Sequence, residues 1–311
     1  MNNRVKIKEI FASIQGEGPY VGYKQLFIRF CGCNLKCNYC DTEFSDKSDY
    51  KEYTAQELAQ EVSKYADIHS ISLTGGEPLL STEFLKEFLP LIKKMPPHPS
   101  PLPLGEGADA CSIVRVEPPL LKGGAPRSGG GILVPITPKI YLETNATLTD
   151  KFLEIKPFID IVSADIKLES ATGIKDTFEK HDKFFEGCIG VETFAKIVFN
   201  EKITDDEILK SCELGKKYGI ELILQPETVS EGRKFRGQEG KLFNDSSLNK
   251  IPQQQQTDKN HSTVQPFNPS TNNDFQPSTF HFQLNTILDK FLKNYEKVRL
   301  IPQVHKFLNV R

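Results

Sequence analysis

The chain has no tryptophan and only 2 methionines among its 311 residues. It also lacks an excess of either charge: 39 basic side chains face 41 acidic ones, for a formal net charge of -2. Proteins that grip nucleic acid directly usually carry a basic field, so no such contact is expected. No apolar run approaches the ~20 residues of a membrane-spanning helix. The opening MNNRVKIKEIF has no secretory apolar core. The cysteines number 7, and a disulfide framework is not expected from an odd count without a signal peptide. A reduced, cytoplasmic compartment follows. The length suits one medium domain or two small ones, with ample core.

What is present is concentrated in one stretch. Cys33, Cys37 and Cys40 stand in CNLKCNYC, spaced C-x3-C-x2-C. Thiolates are soft ligands suited to zinc or iron–sulfur clusters. Structural zinc takes four ligands, often as two pairs, and no second pair exists here; Cys111, Cys188 and Cys212 are scattered singly. A cubane cluster ordinarily takes four cysteines, so three on one loop would leave one iron open to a substrate or cofactor. Cys31 would share a face with Cys33 on an extended chain. It reads as a buried small residue at a strand end, with spare ligand as the alternative. The spacing, with an aromatic residue just before the last cysteine, resembles the radical S-adenosylmethionine (SAM) superfamily. That resemblance implies a [4Fe–4S] cluster and SAM as cofactors.

Two stretches do not read as folded protein. One, at about 97–138, is crowded with proline and glycine; the other, at about 229–283, holds QQQQ and few aliphatic residues. Such composition buries too little apolar surface to offset ordering entropy. Both are expected as insertions in surface loops, where length costs little. The remainder alternates strands and helices. KIKEIFASIQ, KQLFIRFCG, ISLT, KIYLETN, DIVSADIKL, VETFAKIVFN, IELILQP and KVRLIPQ read as strands. TAQELAQEVSKYA opens with Thr54 and Glu57 as a capping box, and STEFLKEFLPLIKK, TDKFLEIKPF, TDDEILKSCELGKKYG and QLNTILDKFLKNY are the other expected helices. Repeated β–α units imply a parallel sheet, with function at the C-terminal strand ends.

Further motifs fall at those ends. Gly75, Gly76, Glu77 and Pro78 follow ISLT. They resemble the superfamily's glycine-rich turn, in which Gly76 backbone would hold the SAM amino group. Ser163, Asp165 and Lys167 lie two apart, on one strand face, and are expected to clamp the SAM carboxylate and ribose. Gln225, Pro226 and Glu227, and also Glu143, Thr144 and Asn145, end strands of their own and are candidates for the adenosine part.

FASIQGEGP, FIRFCGCNLKCNYCDT and VRLIPQVHKFLNVR together resemble the 7-carboxy-7-deazaguanine synthases. The resemblance implies a single domain folded as a partial (incomplete) parallel β/α barrel of the radical SAM type. It implies ring contraction of 6-carboxy-5,6,7,8-tetrahydropterin with release of ammonia, begun by a SAM-derived radical, in queuosine precursor synthesis. Ile14, Gln15, Gly16, Arg29 and Thr74 would meet the pterin, Arg29 through its carboxylate. Tyr39, Cys40 and Asp41 would line the SAM adenine, and Thr42 would ligate Mg2+. Gln303, His305 and Arg311 would reach the substrate from the C-terminal segment. A homodimer and a flavodoxin-type or ferredoxin-type reductant are the implied partners. The insertions, and the S-x-D-x-K spacing where many members have S-x-K, depart from the family. Two rivals remain: a glycyl-radical-enzyme activase or other radical SAM enzyme, and a zinc-binding interaction module.

Overall fold

The computed structural model describes residues 3–40, 50–95, 138–227 and 279–308. Among these residues nine strands form one sheet: β1 (Val5–Ile14), β2 (Lys24–Phe30), β3 (Lys51–Tyr53), β4 (Ser70–Gly75), β5 (Lys139–Thr144), β6 (Ile161–Asp165), β7 (Glu192–Phe199), β8 (Glu221–Pro226) and β9 (Val298–Leu300). Their order is β3-β1-β2-β4-β5-β6-β7-β8-β9. From β2 to β9 every pairing is parallel, and β1 runs antiparallel to both β2 and β3. The order does not close on itself, so the sheet is the expected partial barrel with an antiparallel flap at one edge.

The helices are α1 (Ala55–Val62), α2 (Thr82–Lys93), α3 (Thr149–Ile155), α4 (Glu169–Thr172), α5 (Phe178–Gly187), α6 (Asp205–Tyr218), α7 (Thr279–Asn294) and α8 (Val304–Phe307). The capping box forms: Glu57 N–H donates to Thr54 Oγ1 at 3.2 Å and Thr54 N–H to Glu57 Oε2 at 2.8 Å. α7 begins at Thr279, earlier than the expected start at Gln283. The expected insertions lie otherwise almost wholly outside the described residues, as do Asp41, Thr42 and Arg311. Among the described helices none is long and apolar enough to cross a membrane.

Alternation along each strand sorts the two faces of the sheet. Leu26, Ile28, Ile71, Leu73, Ile140, Leu142, Val162, Ala164, Ala195, Ile197, Leu222 and Leu224 join one core with helix residues such as Leu58, Phe88, Phe184 and Phe291. The intervening positions face the concave side. Toward the strand starts these are Tyr141, Ile161, Phe194 and Ile223, which form a separate apolar cluster. One or two steps further along, the concave positions turn polar: Ser72, Thr74, Glu143, Ser163, Asp165, Lys196 and Gln225. An apolar floor below and a polar chamber above is the arrangement that places chemistry at the strand ends.

Candidate active site

The three-cysteine loop leaves β2 at the site end of the sheet. All three thiols are partly exposed. Leu35 N–H donates to Cys33 Sγ at 3.4 Å, and the Asn145 amide reaches the same sulfur at 3.8 Å. Burial pushes the Cys37 thiol up to about 11, with Lys167 opposing, and raises Cys33 for the same first cause. These thiols are protonated near neutrality, and metal uptake must displace the protons. Among the described residues no group of three His, Cys, Asp or Glu side chains converges on a single ion. A cubane asks something else of its ligands, since each thiolate takes a different iron. Three neighbouring soft donors with N–H groups aimed at a sulfur fit a cluster better than a lone zinc ion. Cys31 is half-exposed rather than buried; its N–H is bonded to Lys6 O at 3.1 Å, where the flap edge leaves room.

Glu77 ties this loop to the strands beside it. Its N–H donates to Gly32 O at 2.8 Å. Its carboxylate accepts from Leu79 N at 3.0 Å, Thr144 Oγ1 at 2.9 Å and Asn145 N at 2.8 Å. Burial pushes its carboxyl up to about 7, and those donors pull against the rise. Gly76 N–H is spent on Phe30 O at 2.9 Å, so of its two backbone groups the carbonyl is the one suited to an ammonium ligand. Gly75 has φ +108, and a Cβ there would strike the Phe30 backbone.

A chain of buried charges crosses the chamber. Tyr39 OH accepts from Lys167 Nζ at 2.9 Å. Lys167 pairs with Asp165 at 2.8 Å, Asp165 lies 3.5 Å from Lys196, and Lys196 pairs with Glu17 at 2.7 Å. Burial opposes charge on both lysines, but Asp165 and their other neighbours hold each above its ordinary value. Burial likewise pushes Glu17 up, and Lys196 and Gln303 more than reverse this, bringing it down to about 2. Asp165 and Lys167 thus meet in one buried network, whereas Ser163, buried on the same strand, hydrogen-bonds the Tyr141 hydroxyl. Asp165 Oδ1, Gln225 Oε1 and Gln25 Nε2 are buried without a hydrogen-bond partner, which is what a polar ligand chamber leaves unspent.

The opposite wall carries the pterin candidates. Gln15 is buried and donates to Glu143 at 3.1 Å and Gln25 at 3.1 Å. Glu143 also accepts from Ser72 at 3.0 Å and Thr74 at 2.8 Å. It therefore stands with the Gln15 group. Ile14 is exposed at the end of β1. Arg29 Nε lies 2.7 Å from a Glu9 carboxylate oxygen, so the anion beside it within the chain is Glu9. Gln225 turns to Glu17 at 3.3 Å, and Glu227 to Asn200 at 2.8 Å; Pro226 ends the strand between them. The C-terminal segment folds over this wall. Gln303 donates to Glu17 at 2.6 Å, Val304 N–H to Gly16 O at 2.9 Å, and the His305 ring fills the space a side chain at 16 would need.

Sequence reasoning did not single out Glu17, Lys196 or His181. Lys196 had a signal, being the one charge in FAKIVF at a concave position. His181 had none. It is buried on α5 and accepts from Lys167 N–H through Nε2 at 3.0 Å, while Nδ1 meets Ala146 O at 3.1 Å. A backbone N–H on Nε2 and a carbonyl on Nδ1 fix a neutral ring with its proton on Nδ1. Burial accordingly holds it down, at about 4.

Residues 27–224 match the model of the Radical SAM superfamily. A 7-carboxy-7-deazaguanine synthase of Archaeoglobus fulgidus is 31% identical over 264 residues, spanning 80% of this chain and 96% of that one. The chain belongs to the 7-carboxy-7-deazaguanine synthases. The Geobacter sulfurreducens synthase is 29% identical across 72% of this chain and 82% of its own. The solved structure of QueE from Escherichia coli aligns at a TM-score of 0.42 with 16% identity, covering 72% of this chain and 84% of that one. As a member of the family, the chain is a radical SAM enzyme whose cofactors are a [4Fe–4S] cluster and SAM.

Proposed function

We infer that the chain converts 6-carboxy-5,6,7,8-tetrahydropterin to 7-carboxy-7-deazaguanine with release of ammonia, a step toward queuosine. One observation carries the reading: the loop of Cys33, Cys37 and Cys40 and the loop of Gln15 to Glu17 are joined across one chamber by Tyr39, Lys167, Asp165 and Lys196. When bound, the cluster and SAM supply one-electron reduction and hydrogen abstraction. The protein's share is placement. Cys33, Cys37 and Cys40 would hold the cluster. The Gly76 carbonyl, Ser163, Asp165 and Lys167 would orient SAM, with Tyr39 and Asp41 beside its adenine.

Across the chamber, Gln15, Gly16 and Thr74 would fix the pterin while the Arg29 guanidinium takes its carboxylate, bidentate pairing being suited to that anion. Thr42 and Arg311 are proposed for Mg2+ and the substrate edge. The buried apolar floor and the C-terminal segment would keep water from the reacting carbon. The molecule is proposed to work as a cytoplasmic homodimer fed by a flavodoxin-type or ferredoxin-type reductant.

The test is anaerobic turnover of the reconstituted protein with SAM, reductant, Mg2+ and the carboxytetrahydropterin. The product 7-carboxy-7-deazaguanine, seen by mass, supports the reading. 5′-Deoxyadenosine without it leaves the superfamily standing and overturns the substrate. Cys37→Ala is expected to lose both the brown absorbance of the cluster and all turnover; retained activity would remove the loop from the chemistry.

A further inference from the structure

Asn145 stands just past β5 and is buried. Its backbone N–H is held by the Glu77 carboxylate at 2.8 Å. Its side-chain oxygen accepts twice from Thr147, from the backbone N–H at 3.2 Å and the hydroxyl at 2.6 Å. A backbone N–H can only donate, so the atom it meets must be the amide oxygen. That fixes the orientation of a group whose O and N otherwise look alike. The NH2 end is consequently turned to the cysteine loop, 2.8 Å from Asn34 Oδ1 and 3.8 Å from Cys33 Sγ. Asn34 closes the ring by donating to Thr147 Oγ1 at 3.0 Å.

We infer that Asn145 is a positioning residue for the cluster, its amide N–H donating to the Cys33 sulfur and raising the reduction potential of the iron–sulfur group. The inference rests on the cluster reading above. One-electron reduction adds negative charge that the sulfurs share. A donor pinned against one of them therefore stabilises the reduced form more than the oxidised one. Hydrogen bonds to the ligand sulfurs are among the levers that set such potentials. The ring of Asn34, Thr147 and Asn145 makes the donor stiff, so it serves both oxidation states without rotating away.

The experiment is a redox titration of the reconstituted holoenzyme, followed by the electron paramagnetic resonance signal of the reduced cluster. Wild type is compared with Asn145→Leu and with Thr147→Val, which removes one of the two bonds holding the amide oxygen without removing the amide. In Asn145→Leu the ratio of reduced to oxidised cluster at a fixed potential should fall about threefold, roughly 28 mV at 59 mV per decade. Thr147→Val should shift in the same direction by less. An unchanged midpoint in an iron-replete Asn145→Leu overturns the inference. Should that variant take up no iron, an unchanged midpoint in Thr147→Val overturns it instead. A wild-type chain that assembles no cluster overturns the inference and the cluster reading together.

Discussion

Lys196 is the residue on which the chamber's charges turn. It is buried between Glu17 and Asp165, with Glu143 also acting on it. Removing one partner of a buried ionic set strands the others in a low dielectric, at a cost of about 3–5 kcal/mol. Lys196→Met should show that loss in urea unfolding; a midpoint within error of wild type would mean the charges relax into solvent. His181 sets a pH window. An unfolded His181 titrates at its ordinary 6.5, whereas the native ring is held near 4. Between those values the unfolded chain binds a proton that the native chain does not. Stability should therefore fall as pH drops from 6.5 toward 4, with a slope of about 1.4 kcal/mol per pH unit from this group. His181→Gln should flatten that part of the profile, and equal slopes in the two proteins would assign the loss to other groups.

Among the elements, the turn after β4 is the least forgiving. Gly75 combines a left-handed φ of +108 with close approach to the Phe30 backbone. Gly75→Ala should displace the turn, break the Glu77 links to Gly32 and Asn145, and weaken SAM binding by about tenfold or more, since 1.4 kcal/mol already gives that factor; calorimetric titration with SAM measures it. This turn was legible because it follows the three-cysteine loop at the first strand end downstream; alone, GGEP fits an ordinary strand-to-helix turn equally well. The other strands were equally legible, since apolar alternation with period two survives without neighbours, but β3, three residues long, was missed because it is too short to show a period. α5 was not. FEKHDKFFEG is short, its N-cap Thr177 makes no side-chain cap, and five of its residues carry ordinary charge. The helix is held by Phe184 and Phe185 in the core, a tertiary fact. For the same reason the motif residues could be named from spacing, while Glu17 and Lys196, far apart in sequence, could not be paired. Arg29 shows the limit from the other side: an anion was expected for it in the substrate, and the one the structure places beside it, Glu9 on the neighbouring strand, was not.

At the scale of the whole molecule, the sheet decides where the chain can lengthen. β4 and β5 are parallel, so α2 carries the chain back from the site to the base of the barrel before residue 96. β8 instead releases the chain at Pro226, on the rim of the chamber beside Gln225 and Glu17. Replacing 96–137 by a short glycine–serine linker should leave kcat/KM for the pterin unchanged, because loop length itself costs only about 0.6 kcal/mol per doubling. A large loss of turnover would show that the segment reaches the site. The same asymmetry separates two kinds of evolutionary freedom. At the base, a lineage can gain or shed sequence with selection seeing little more than the cost of making it. At the rim, every added residue is tried against the entry of substrate.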